Sequence, residues 1–373
     1  MIGPATGGAT ISGNVTTARG GPEGNGMQAH AKAAALTNGA ERLAYTLPGP
    51  SRAYPMAGVA CAFARLGEIE DARRAAEAAG RLTREHGTPH PEVDELVRVA
   101  EANAWLDRPA ETERLLREAE KLLPSIAHAG WRARAQGLVA GALVLIGPLG
   151  PAEELARSIE DPAGRVDALL LIARSTDPGR PPSGVGPGAA RRLVDEADLA
   201  CQDIADLGRL VLARTMVAAA LAGQGRADDA WRAANEAEQI TLYVDEQRRA
   251  GACAQVSIGF ARAGDAGRAY RAARRAEEIA GPARAATWWR GAMPQVVEAY
   301  ARAGQPGRAA QLADGLDDSF ARAGAMARFA RALADAGDVA NAERIVAKIG
   351  PDRQLQQVDA MLDIVDALIA RMR

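Results

Sequence analysis

One short phrase returns along this chain: LGEIEDA, LDRPAET, LGPAEEL, QGRADDA, AGDAGRA, AGQPGRA, AGDVANA. Each carries a glycine or aspartate (Gly67, Asp107, Gly150, Gly225, Gly264, Gly304, Gly337) and, five residues on, a usually small residue. The spacings run from 33 to 43 residues, apart from one of 75, about twice as long. A period in this range marks a stacked array of helix pairs, in which each unit buries its apolar face only against its neighbours. Glycine there supplies the left-handed conformation that ends a helix. An acid in the next residues suits the positive start of the following helix. A small residue five positions on lets the two helices cross closely.

Composition points the same way. Hydrophobic residues make up 48% of the 373, yet aromatics only 4%. Ala and Leu dominate, and with Arg and Glu they are strong helix formers. The fold class expected is all-α, an α-α superhelix or solenoid of about eight antiparallel helix pairs with a C-terminal capping helix. Residues 1–26, rich in Gly, Thr and Ala, read as a disordered leader. The array takes 27–373. Within it, 27–50 form an N-terminal cap and 352–373 a C-terminal cap. The double spacing between Gly150 and Gly225 holds one more pair, around 162–173 and 189–205, joined by a Pro/Gly-rich loop at 174–188 in place of the usual turn.

The sequence excludes several functions. A formal charge of −2 argues by itself neither for nor against a nucleic-acid partner, and none is expected. There is no basic-then-apolar leader and no run of about 20 apolar residues, so neither a secretory signal nor a membrane span is expected. The three cysteines, Cys61, Cys201 and Cys253, are too far apart for a paired metal motif and read as buried residues of a reducing cytoplasm. No phosphate-binding GxxxxGK[ST], HExxH, GxSxG or calcium-loop pattern occurs. GVGPG at 184–188 follows no strand. His86 and His90 lie in EHGTPHPEVDE beside Glu85, Glu92 and Asp94, in what reads as a solvated loop between helices rather than a metal site. No enzyme, metal or cofactor is therefore expected.

Charge is uneven along the array. Residues 91–125 hold nine acids against five bases; 260–310 hold nine arginines, Arg271 and Arg275 among them, against four acids. Within that basic stretch stands TWWRGAMP. Adjacent tryptophans point to different faces of a helix, and Trp and Arg are enriched where interfaces bind most strongly. Trp288, Trp289 and Arg290, with Arg271 and Arg275, form the candidate partner-binding patch.

Seven residues before the turns stand mostly small residues (Ala60, Ala100, Leu143, Ala218, Ser257, Val297, Ala330). Four before stand mostly large ones (Phe63, Asn103, Ile146, Leu221, Phe260, Tyr300, Leu333). Seven after the small residue of the turn come Ala79, Ala119, Ala237, Ala276, Leu316 and Ile349. This order resembles the tetratricopeptide repeat over about residues 51–373, with HEAT-like stacking as the structural alternative. It departs from that family in its longer units, its mostly missing closing proline, and Asn103 and Pro162. A second rhythm, in SIEDPAGRVDALLLIA, GLDDSFARAGAMARFA and KIGPDRQLQQVDAMLD, ends a helix at Asp or Pro and sets Arg or Gln before an apolar stretch.

The resemblance implies a superhelical groove lined ten and six residues before each turn, by pairs such as Ala57/Cys61, Ala254/Ile258, Pro294/Glu298 and Ala327/Arg331. Ile258, Glu298 and Arg331 join the candidate site on that basis. The basic and asparagine clamp that holds a C-terminal carboxylate in that family is absent. The resemblance implies a non-catalytic cytoplasmic scaffold that binds a peptide or helix of a partner, in a regulatory or defence setting. The alternative is a receptor or enzyme with an arginine-lined pocket for an anionic small molecule.

Overall fold

The computed structural model describes residues 22–83, 89–175, 187–283 and 286–372. Among them the chain forms eighteen α-helices and no strand. They are α1 (Pro22–Tyr45), α2 (Ala53–Leu66), α3 (Ile69–Leu82), α4 (Pro89–Trp105), α5 (Pro109–Leu122) and α6 (Ala129–Leu143). There follow α7 (Leu149–Arg157), α8 (Pro162–Ser175), α9 (Pro187–Ala200), α10 (Leu207–Gly223), α11 (Ala227–Ile240) and α12 (Glu246–Arg262). The last are α13 (Ala266–Ala280), α14 (Trp289–Arg302), α15 (Pro306–Asp314), α16 (Ser319–Ala336), α17 (Val339–Val346) and α18 (Gln354–Met372). Eight consecutive hairpins, α2–α3 through α16–α17, make the solenoid that the repeat predicts.

The turn phrase works through its backbone. Gly67, Gly225, Gly264, Gly304 and Gly337 have φ between 73 and 91°, and Asp107 takes the same left-handed region at 54°. In all six turns the next residue donates its N–H to the carbonyl four residues before the turn. Glu68 reaches Phe63 at 3.0 Å, Arg108 Asn103 at 3.0 Å and Asp265 Phe260 at 2.9 Å. Arg226 reaches Leu221 at 3.0 Å, Gln305 Tyr300 at 2.9 Å and Asp338 Leu333 at 2.9 Å. This six-residue closure satisfies carbonyls that would otherwise be orphaned. The large repeat residue thus closes the turn with its backbone and fills the core with its side chain. The small residue five beyond (Ala72, Thr112, Ala230, Ala269, Ala309, Ala342) is fully buried in each. Gly150 is different: it lies inside α7 and does not form a turn. At Asp107 an L side chain bears the left-handed conformation, so Asp107→Gly is expected to raise stability by about 1 kcal/mol. A melting temperature that falls instead would refute this.

The second rhythm is the opposite end of each hairpin. Asp161, Asp206, Asp245 and Asp318 cap inner helices by accepting N–H groups from Gly164, Arg209, Arg248 and Ala321 at 2.8–3.1 Å. Arginines in or beside the first turn reach back to the carbonyl of the buried residue before it. Arg165 reaches Ile159 at 3.2 Å, Arg249 reaches Val244 at 2.7 Å and Arg52 reaches Leu47 at 2.8 Å.

The inner helices α2, α4, α6, α8, α10, α12, α14, α16 and α18 each pack on the next, and α18 packs on α2. The outer helix of α18 is α1. The two segments expected as separate caps, 27–50 and 352–373, therefore form a ninth hairpin between them, and the array closes into a ring. The seam is tight: a Cβ on Gly39 of α1 would stand 2.7 Å from Met361 Cε, and one on Gly58 of α2 2.8 Å from Leu362 Cδ1. Arg65 of α2 pairs with Asp366 of α18, and Lys32 of α1 lies 3.0 Å from Glu343 of α17.

Three sequence expectations fall wholly or partly outside the described residues. Of the expected leader, 1–21 lie outside, and α1 already begins at Pro22. Of the loop at 174–188, only its edges at the end of α8 and start of α9 are described. The side chains of His86 and His90 are not described, although α4 starts at Pro89, within the segment read as a loop.

Candidate functional site

The residue two positions before each left-handed turn faces inward. Arg65, Trp105, Gly223, Arg262, Arg302 and Asp335 hold this register, and all six line a central chamber of about 1910 Å³. One helical turn earlier, Cys61, Glu101, Ala219 and Arg331 add to the same wall, because positions i and i+4 share a helix face. The large and small repeat residues, four and seven before the turn, point the other way, into the layer between helices. One phrase thus encodes both a core and a chamber wall.

The wall is charged and asymmetric. Among the described residues it holds eight arginines and five carboxylates. The arc from α8 to α14 contributes Arg174, Arg191, Arg226, Arg262 and Arg302 and no carboxylate. The acids come from α4 (Glu101), α16 (Asp335) and α18 (Asp359, Asp363 and Asp366). α9 is an outer helix, yet its Arg191 reaches the chamber.

Arg302 is fixed most firmly. Its side chain is 9% exposed and lies 2.8 Å from Glu298 and 2.9 Å from Asp335. Asp335 also faces Arg262 at 3.8 Å. Burial, then the positive charges of Arg302, Arg174 and Arg331, hold Arg262 below the ordinary arginine range, and Asp335 opposes this only in part. Burial is the larger cause, and beyond it three guanidiniums act on Arg262 against one carboxylate, so this part of the wall is rich in positive charge. Burial pushes the Cys61 thiol up to about 12, with Glu101 adding to it. Cys61 is therefore a protonated wall residue rather than a nucleophile.

The candidate residues from sequence fall in two separate places. Trp289 is core, 8% exposed, beside a small cavity of about 240 Å³ with Met293, Leu312 and Leu316. Trp288 is half-buried at the start of α14. Arg290 is exposed and lies 3.1 Å from Asp318. Arg271 and Arg275 are exposed on the outer helix α13. Of the groove residues, Arg331 lines the chamber. Glu298 is buried behind the wall, 2.8 Å from both Arg302 and Arg328. Ile258 is half-buried on α12 and is not among the chamber's lining residues. Sequence reading missed Arg174, Arg262, Arg302, Asp335, Asp359 and Asp363. For Arg262, Arg302 and Asp335 the signal is the register two before the turn; Arg174, Asp359 and Asp363 stand outside it.

Among the described residues no group of three or more His, Cys, Asp or Glu side chains is placed to hold a metal, and no helix is long and apolar enough to cross a membrane. Neither a protein-family model nor a curated protein matches the chain. Among solved structures, Ton1535 from Thermococcus onnurineus NA1 aligns over 86% of this chain and 93% of its own, at 14% identity and a TM-score of 0.38. That likeness is too loose to carry an argument about fold or function.

Proposed function

We propose that this protein is a non-catalytic receptor that holds an anionic small molecule in its central chamber, with Arg174, Arg262 and Arg302 as the main contacts. The observation that carries the reading is that Arg174, Arg262, Arg302 and Arg331 line one chamber and the first, third and fourth act on Arg262, whose ion pair among the described residues is with Asp335 at 3.8 Å. Arginine gives planar, forked donors suited to carboxylate, sulfonate or phosphate oxygens. A chamber of about 1910 Å³ is larger than an ordinary small-molecule site, so the ligand is bulky or shares the space with water.

The test is a fluorescence titration with pyrene-1,3,6,8-tetrasulfonate, a permanently charged probe, alongside thermal shifts with citrate. Binding is expected to stabilise the fold, to weaken with salt and to fall about 30-fold in the Arg174→Ala/Arg262→Ala double variant. Absence of binding by either anion at low salt would remove the reading.

A second reading is a scaffold for a protein partner, in keeping with the tetratricopeptide-like repeat phrase. Its support is on the opposite rim: Trp131, Tyr243 and Phe320, at or just before the starts of inner helices, are 52%, 75% and 59% exposed. Co-purification of one partner, lost on changing Tyr243 and Phe320 to serine but kept in the arginine variant, would favour it.

A further inference from the structure

We infer that anion binding in the chamber is coupled to proton uptake by Asp359 and Asp363, so that the chamber fills as pH falls. The inference rests on the anion reading above and adds its regulation. Asp359 and Asp363 stand one turn apart on α18, and both line the chamber. Asp363 lies 3.8 Å from Arg331 of α16. One turn further along α16 stands Asp335, the carboxylate between Arg262 and Arg302. The acidic wall thus draws on one end of the arginine array while adding negative charge to the space an anion would occupy.

The charges around the pair come from each packed element. On α18 itself Asp366 is taken up by Arg65 of α2. From α16 come Arg331 and Asp335. From α4 comes Arg98, committed to the Tyr54 hydroxyl at 3.1 Å and to Glu101 at 3.9 Å. Lys32 and Glu41 of α1 turn to outer helices, to Glu343 of α17 and Arg74 of α3. Arg344 of α17 acts on Asp338. Among the described residues neither aspartate has a close, bidentate cation. Burial, then the Asp363 charge, pushes Asp359 up to about 6; burial pushes Asp363 up to about 6 against the pull of Arg331.

The signs follow. Above pH 6 both are ionised, and the lining arginines exceed the acids by three; with both protonated the excess is five. A bound anion raises both carboxyl pKa values further, and by linkage protonation tightens the anion by the same factor. Each binding event at neutral pH therefore draws up to two protons from solvent.

The test titrates the full-length protein with pyrene-1,3,6,8-tetrasulfonate, which stays fully ionised, at pH 7.5 and 5.5. Wild type is expected to bind about tenfold tighter at the lower pH. Asp359→Asn/Asp363→Asn, of similar shape, is expected to bind tightly at both. Calorimetry in buffers of different ionisation enthalpy should show proton uptake in wild type at pH 7.5 and none in the double variant. Wild-type binding with no pH dependence and no proton uptake would overturn the coupling and leave the anion reading standing. No binding by either protein at either pH would overturn both.

Discussion

Aspartate at both Ala40 and Ala44 is expected to open the ring. Both alanines are fully buried on α1, in the cluster that holds Val358, Met361 and Leu362 of α18. A carboxylate forced into that apolar layer loses its hydration and costs about 3–5 kcal/mol at each site. The eight hairpins from α2 to α17 do not depend on that contact, since each buries its own alanine layer against its neighbours. The fold should therefore lose its seam before its repeats. Small-angle scattering should show a larger radius of gyration and a lost central minimum, with helical circular dichroism largely kept. An unchanged scattering profile and melting temperature would show that α1 does not close the ring.

Glu298→Ala is expected to cost about 3–5 kcal/mol, because it leaves a nearly buried Arg302 short of its main counter-charge. Burial works against ionisation of Glu298, but the charges and hydrogen bonds of Arg302 and Arg328 prevail and hold the carboxyl below its usual range. The sign follows from that depression. The stability Glu298 supplies is complete above the ordinary glutamate range and is lost as pH falls through its lowered folded value. Acid should therefore destabilise wild type more than Glu298→Gln, with thermal melts between pH 3 and 7 as the readout. If Glu298 were a partner contact with no structural duty, the alanine variant would melt like wild type.

The array was legible because its determinants are local. A left-handed glycine, a capping aspartate and an alanine at a crossing each act within about six residues, so a repeating phrase reports them directly. Eight hairpins follow from it, including the unmarked pair α8–α9. Gly150 misled because a glycine in the right place need not take the turn: there the chain passes through Gly147 and Pro148, and Pro148 precedes the first turn of α7. Ring closure was not legible, because curvature accumulates from small rotations between repeats and no single residue states it.

The site was partly legible for the same reason. Arg331 follows from counting offsets, whereas the residues two before the turn would sit at the margin of an open groove. Closure turns that margin into the wall. Trp288, Trp289 and Arg290 drew attention by composition alone, and Trp289 proved to be a core residue. Composition can mark a patch; only the helix face decides whether it reaches solvent.

Closure also sets an order of events. Within a hairpin, and between one hairpin and the next, partners are a few tens of residues apart. Arg65 and Asp366, which meet across the seam, are separated by 301. Bringing such distant segments together costs chain entropy that local pairing avoids, and contacts of this span form late in folding. The seam is thus expected to be the last joint to form, and the chamber to exist only once both ends of the ring have folded.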